Sequence, residues 1–198
     1  MVRWEPDAYG RLREAALALF VEQGFEQTTV AQIAERAGLN RRTFFHHFAD
    51  KREVVFAGQQ DADVLIAAKI RAQPAEVDPL AAATAGLKRA AEAIYEQYRA
   101  GAVELGRVIA ASAELREREL VKRAALVETI AAALRDRGTT EPAAVVTAWT
   151  AVAVFFVARN TWNQAGNQRS LAELIEMALE DFVSATGRPL AAGRPAST

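Results

Sequence analysis

The sequence predicts an all-α protein, and three observations carry that prediction. Helix-favouring Ala, Leu, Glu and Arg dominate the 198 residues. No long stretch alternates apolar and polar residues as a half-buried strand would. Helix-start signals recur just ahead of apolar stripes spaced three and four residues apart. The chain is 51% hydrophobic, enough for a real core, and its length admits one to two domains.

The elements follow in order. Leu12, Ala15, Ala16, Leu19 and Phe20 line one face of a first helix, which Gly24 stops. Thr29-Val-Ala-Gln32 is a capping box for a short second helix, with Ile33, Ala34 and Ala37 inward and Gly38 as its breaker. Asn40 can cap a short third helix over Arg41 to His47. Asp50-Lys-Arg-Glu53 reads as a second capping box, opening a long fourth helix to about Ala72. Pro74 and Pro79 then flank an acidic connector.

Beyond it, Leu80 to Arg99 reads as one helix and Val103 to Ala111 as a shorter one. Leu115 to Arg137 places Leu126, Ile130 and Leu134 inward and ends at Gly138. Pro142 suits the first turn of a helix running to Ala165. Ser170-Leu-Ala-Glu173 is a third capping box, launching the stripe Leu171, Leu174, Ile175, Ala178, Leu179, Phe182 and Val183. This divides the chain into an N-terminal domain over 1–50, a helical domain over 51–186 and a disordered tail over 187–198.

Several classes are disfavoured. Without cysteine there are no disulfides or thiolate metal sites, which suits a reducing cytoplasm. The first ten residues lack the apolar core of a signal peptide. The uncharged run Ala143 to Ala158 is short for a membrane span and reads as a buried helix. No G-x-S-x-G, H-E-x-x-H or phosphate-binding loop is present, so neither an enzyme nor a cofactor is expected. His46 and His47, the only histidines, are adjacent on a helix and point about 100° apart, so no metal site is expected.

The second and third helices around Gly38 have the spacing of a helix-turn-helix. In that motif the early residues of the second helix meet base edges in the major groove. Here those residues are Arg41, Arg42 and Thr43, and arginine can grip guanine bidentately. Phe44 and Phe48, four apart, are the core anchors. Between residues 36 and 52, Arg36, Arg41, Arg42, Lys51 and Arg52 face only Asp50, a concentrated basic patch in a chain of net charge −1.

The segment TTVAQIAERAGLNRRTFFHHFADKRE, Thr28 to Glu53, resembles the DNA-binding segment of the TetR family of transcriptional regulators. With the first helix the likeness covers residues 10 to 56. It implies an all-α fold in which an N-terminal three-helix helix-turn-helix domain is joined by a long helix to a C-terminal helical ligand-binding and dimerisation domain. It implies a homodimeric regulator, in most cases a repressor, bound to a double-stranded, pseudo-palindromic operator and released by a small molecule. The alternative is a helical small-molecule binding protein with no operator of its own. Carried onto this chain, the DNA-facing residues are Thr29, Arg41, Arg42, Thr43, Phe45, His46, His47 and Lys51, with His47 and Lys51 on phosphates. Phe45 stands where the family usually has a tyrosine, and the hydroxyl is absent.

Polar groups among apolar helices make Tyr95, Tyr98, Glu104, Arg107 and Trp149 the candidate ligand wall. Phe155, Phe156, Arg159 and Trp162, with Leu171, Leu174, Ile175, Ala178, Leu179 and Phe182, are the candidate dimer seam, a four-helix bundle about a two-fold axis. Ligand is expected among the helices after residue 80, pushing on the fourth helix as the rigid link.

Overall fold

A computed structural model describes residues 7–187, and every regular element among them is helical. The expected tail disorder lies, from residue 188 on, outside the described residues. The chain forms two compact units, one over residues up to 58 and 101–119, the other over 59–100 and from 120 on.

In the first unit, α1 spans Ala8–Gln23 and is capped by the Asp7 carboxylate, which accepts from Gly10 N at 3.0 Å. The Thr29 box is complete. Its hydroxyl accepts from Gln32 N while Gln32 Oε1 accepts from Thr29 N, and α2 follows over Val30–Arg36. Gly38 then turns the chain at φ 66°, in the left-handed region. A Cβ there would also lie 2.7 Å from the guanidinium of Arg11, which donates to the Ala37 carbonyl. Asn40 caps α3, Arg41–His47, by accepting from Thr43 N at 2.9 Å. Asp50 caps α4, Lys51–Val55.

Among the groups that fill this unit's core are Leu12, Phe20, Ile33, Phe44, Phe48 and Val55. Val108 and Ile109 of α7 (Ala102–Ala111) and Leu115 at the start of α8 (Ala113–Asp136) join them.

The fourth helix is not the long rod expected from Lys51 to Ala72. It stops at Val55, turns over 56–58 with Gly58 at φ 81°, and restarts as α5, Gln59–Arg71. The unbroken helix shared by both units is α8, which passes from one to the other after Glu119.

The second unit packs α5, α6 (Pro79–Ala90), α9 (Glu141–Trp162), α10 (Leu171–Thr186) and the remainder of α8. Its fully buried groups include Ile66, Leu80, Leu87, Ile130, Leu134, Phe155 and Leu171. The single helix expected over Leu80 to Arg99 changes pitch. A π-helical turn over Ala91–Tyr95 gives way to a 3-10 helix over Glu96–Gly101. That tighter segment is tied to the approach to α10: Arg99 donates to the carbonyls of Asn167 and Arg169, and Glu96 accepts from Leu171 N at 2.6 Å.

The candidate seam residues divide, with Phe156, Arg159, Ala178 and Phe182 left partly exposed. Phe155, Trp162, Leu171, Leu174, Ile175 and Leu179 are buried within a single chain. The apolar side chains that α9 leaves outward are Val146, Trp149 and Val157. Spaced three and eight apart, they lie on one face with Ala153, opposite Phe155. By length and composition α9 could cross a membrane, at mean hydropathy 1.7, but its inner face is packed as the core helix of this unit.

Candidate functional site

The helix-turn-helix presents α3 as expected. Phe44 and Phe48 are buried, and this fixes the rotation of the helix. Arg41, Arg42, Phe45, His46 and His47 are then turned outward. Phe45 is 51% exposed. Its ring stands edge-on to Phe44, 5.5 Å between centres. His47 lies edge-on to Tyr9 at 6.1 Å and beside Phe48. Partial burial pushes its imidazole below the usual histidine range, and neighbouring His46 pushes it further the same way. Thr29 is exposed, but its hydroxyl is engaged in the α2 cap. Thr43, half-buried, donates its hydroxyl to Asn40 Oδ1 at 3.2 Å.

The basic patch is smaller than its sequence count. Arg36 is held by Glu22 through a fork of bonds at 2.7 and 2.8 Å. Arg52 pairs with Asp50 and, at 3.5 Å, with Glu114. Lys51, expected on a phosphate, is turned inward. Its ammonium donates to the carbonyls of Phe25 (2.7 Å), Thr28 (3.1 Å) and Glu26 (3.3 Å), and sits 4.2 Å from the centre of the Phe25 ring. An ammonium has three N–H groups, so none is left for a phosphate in this arrangement. Lys51 instead ties the α1–α2 turn to the start of α4. Arg41 and Arg42 are the two cations of the segment without a hydrogen bond or ion pair among the described residues. The excess positive charge is therefore focused at the first turn of α3.

A further tie holds α4. Glu53 accepts from Arg118 of α8 at 2.6 and 2.8 Å. With Arg52–Glu114, two ion pairs fasten this short helix to the first turns of α8.

The five candidate ligand residues are divided between the two units. Glu104 and Arg107 belong to α7 in the first unit, and Tyr95, Tyr98 and Trp149 to the second. Trp149 is 54% exposed. Tyr95 is linked electrostatically to Arg159 and Asp63, and Asp63 in turn to Lys122. Sequence reading passed over Asp63 and Lys122 because they lie on two helices distant in the chain, α5 and α8. No spacing motif connects them.

Residues 12–57 match the family described as "Bacterial regulatory proteins, tetR family". The HTH-type transcriptional regulator TcmR of Streptomyces glaucescens is 44% identical over 72 residues, which is 36% of this chain and 32% of that protein. The match thus spans about a third of the length of that relative. Among solved structures, a TetR-family transcriptional regulator from Syntrophomonas wolfei is similar with a TM-score of 0.63 at 20% identity, over 94% of this chain and 98% of that one. Thermus thermophilus FadR, a TetR-family repressor solved with lauroyl-CoA, is similar with a TM-score of 0.53 at 21% identity, over 96% and 100%. At such identity the likeness is one of fold alone. Residues 12–57 thus match the DNA-binding segment of the TetR family of bacterial regulatory proteins, and the all-α fold of the chain is one that solved regulators of that family share.

Proposed function

We propose that this chain is a cytoplasmic transcriptional repressor that binds a pseudo-palindromic operator as a homodimer and releases it on binding a small molecule. The observation that carries the reading is the surface of α3: core anchors on one side, and Arg41, Arg42, Phe45 and His46 outward on the other. Arg41 and Arg42 read bases or grip phosphates, and the N–H groups opening α3 add positive potential. The two reading helices of a dimer enter successive major grooves, about 34–36 Å apart. The second copy docks on the outward stripe of α9, Val146, Trp149, Ala153 and Val157. That stripe is apolar and exposed in the single chain, as an isologous seam requires.

Release by a ligand follows from α8. The helix carries Lys122 and Arg123 in the second unit and, one turn earlier, Arg118 against Glu53 of α4. A ligand that shifts α8 therefore acts on the support of the reading head. Coupling between such sites is typically about 1–3 kcal/mol, and it is reciprocal. The family relationship supports the regulatory reading, and the lauroyl-CoA complex of FadR is an instance of a relative in fold that takes a small molecule. The test is a footprint on the DNA flanking the gene. A protected inverted repeat supports the proposal. Binding of equal strength to any duplex would leave a helical ligand-binding protein without an operator.

A further inference from the structure

The outward face of α3 carries two kinds of chemistry side by side. Arg41 and Arg42 are exposed, and neither enters a hydrogen bond or ion pair among the described residues. Phe45 follows Arg41 by four residues and Arg42 by three, so the three side chains share one face of the helix. The Phe45 ring has a fixed seat. It stands at 85° to the ring of Phe44, 5.5 Å between centres, and Phe44 is fully buried. Thr43 adds little hydrogen-bonding capacity here. Its hydroxyl donates to Asn40 Oδ1 at 3.2 Å, the oxygen that also accepts from Thr43 N at 2.9 Å. A partner of this face therefore meets two guanidiniums and one bare phenyl.

In the major groove each of these groups has one preferred counterpart. A guanidinium matches O6 and N7 of guanine through two parallel bonds. A phenyl has neither donor nor acceptor. Set against the amino group of adenine or cytosine, or against O6 of guanine, it strips water from a polar atom without replacing the hydrogen bond. The 5-methyl of thymine is the apolar group that base edges present in this groove. A tyrosine at the same place would bring a hydroxyl that can find a polar partner, and phenylalanine removes that option. The spacing adds a constraint. Three residues of α-helix advance about 4.5 Å, between one and two base-pair steps of about 3.4 Å. With α3 lying in the groove, the base pairs met by Arg42 and Phe45 are neighbours or next neighbours.

Resting on the proposed regulatory function, we infer that Phe45 is a specificity-determining residue: in each half-site it reads the 5-methyl of a thymine within two base pairs of a guanine held by Arg42. In the test, the full chain first selects its site from a pool of random duplexes. Fluorescence anisotropy then measures affinity for that site with each thymine in turn replaced by uracil, which lacks only the methyl. The guanine is located by 7-deazaguanine, which lacks the N7 acceptor and weakens the parent but not Arg42→Ala. One uracil replacement within two base pairs of it lowers the parent's affinity roughly fourfold per half-site. Phe45→Ala, with helical circular dichroism retained, binds the thymine site more weakly and does not distinguish it from the uracil site. The inference is overturned if no uracil replacement affects the parent, if Phe45→Ala discriminates thymine from uracil as the parent does, or if no guanine read by Arg42 lies within two base pairs of the sensitive thymine. A pool that yields no preferred sequence refutes the regulatory reading and this inference together, whereas a preferred sequence indifferent to the methyl refutes the inference alone.

Discussion

Replacing Lys51 with alanine separates two roles for the same residue. A phosphate-gripping lysine would leave stability alone and weaken DNA binding. The structure instead gives its ammonium three carbonyl acceptors at 2.7, 3.1 and 3.3 Å and a position 4.2 Å from the centre of the Phe25 ring. Hydrogen bonds to a charged group are each worth about 1.5–3 kcal/mol. The three share one ammonium that gave up its hydration, so they do not add in full. The Phe25 carbonyl also accepts from Thr28 N, which softens its loss. Truncation should therefore cost about 2–3 kcal/mol, with the cation–π contact inside that figure. For a chain of this size the melting temperature should fall by about 4–12 °C. Lys51→Met, which keeps the stem over Phe25, should recover only a small part. Thermal denaturation followed by circular dichroism is the assay. A variant melting with the parent, but with a lower salt dependence of DNA binding, would be incompatible with the inward role and return Lys51 to the phosphates.

Arg42→Ala should weaken operator binding by about 1–3 kcal/mol and relax preference at one base position per half-site; uniform weakening across sequences would make Arg42 a phosphate contact. Phe45→Tyr should tighten operator binding if a phosphate waits where the family's tyrosine reaches, and unchanged affinity in a gel-shift titration would show that none does. If the proposed homodimer forms through the α9 stripe, Val157→Glu should leave a folded monomer in sedimentation and weaken operator binding with it, because a charge in an apolar seam has no partner; a dimer that survives would move the seam elsewhere. Asp63 has a folded pKa of about 6, above the ordinary 3.8, so between those values the folded chain holds a proton that the unfolded chain has lost. Its contribution is full below the lower value and fades as pH rises through the upper. Asp63→Asn should thus stabilise the chain above about pH 6, by about 1 kcal/mol once solvent screening is allowed for, and give no gain near pH 4. Urea titrations at the two pH values check this, and a gain that grows on acidification would contradict it.

The orientation of α3 was legible because Phe44 and Phe48 sit four apart on a short helix between a cap and a breaker. Once they are assigned to the core, the faces of Arg42, Phe45 and His46 are settled. The charge of the patch was not legible. The partners of Arg36, Lys51 and Arg52 include Glu22, carbonyls of residues 25 to 28, and Glu114, all remote along the chain. Counting cations between residues 36 and 52 therefore included three that the fold had already engaged. The inner and outer faces of α9 were beyond sequence reading for another reason. With apolar residues on nearly every side, its pattern has no preferred direction. Only its packing against α6 and α10 shows that Phe155 and Trp162 turn in and Val146 and Val157 turn out. The break over 56–58 carried one local signal, Gly58, that a helix can absorb, and the Asp50 box upstream argued for continuing.

DNA meets this chain, on the proposed reading, through Arg41 and Arg42, while Lys51 holds the head together. The salt dependence of operator affinity separates the two roles in one experiment. Fluorescence anisotropy would follow the parent, Arg42→Ala and Lys51→Met at a temperature where all are folded. Removing one phosphate interaction should reduce the slope of log affinity against log salt by about 0.9. Arg42→Ala should show a shallower slope or a relaxed base preference, and Lys51→Met should keep the parent's slope. A shallower slope for Lys51→Met, with Arg42→Ala matching the parent in both slope and preference, would contradict this assignment of roles.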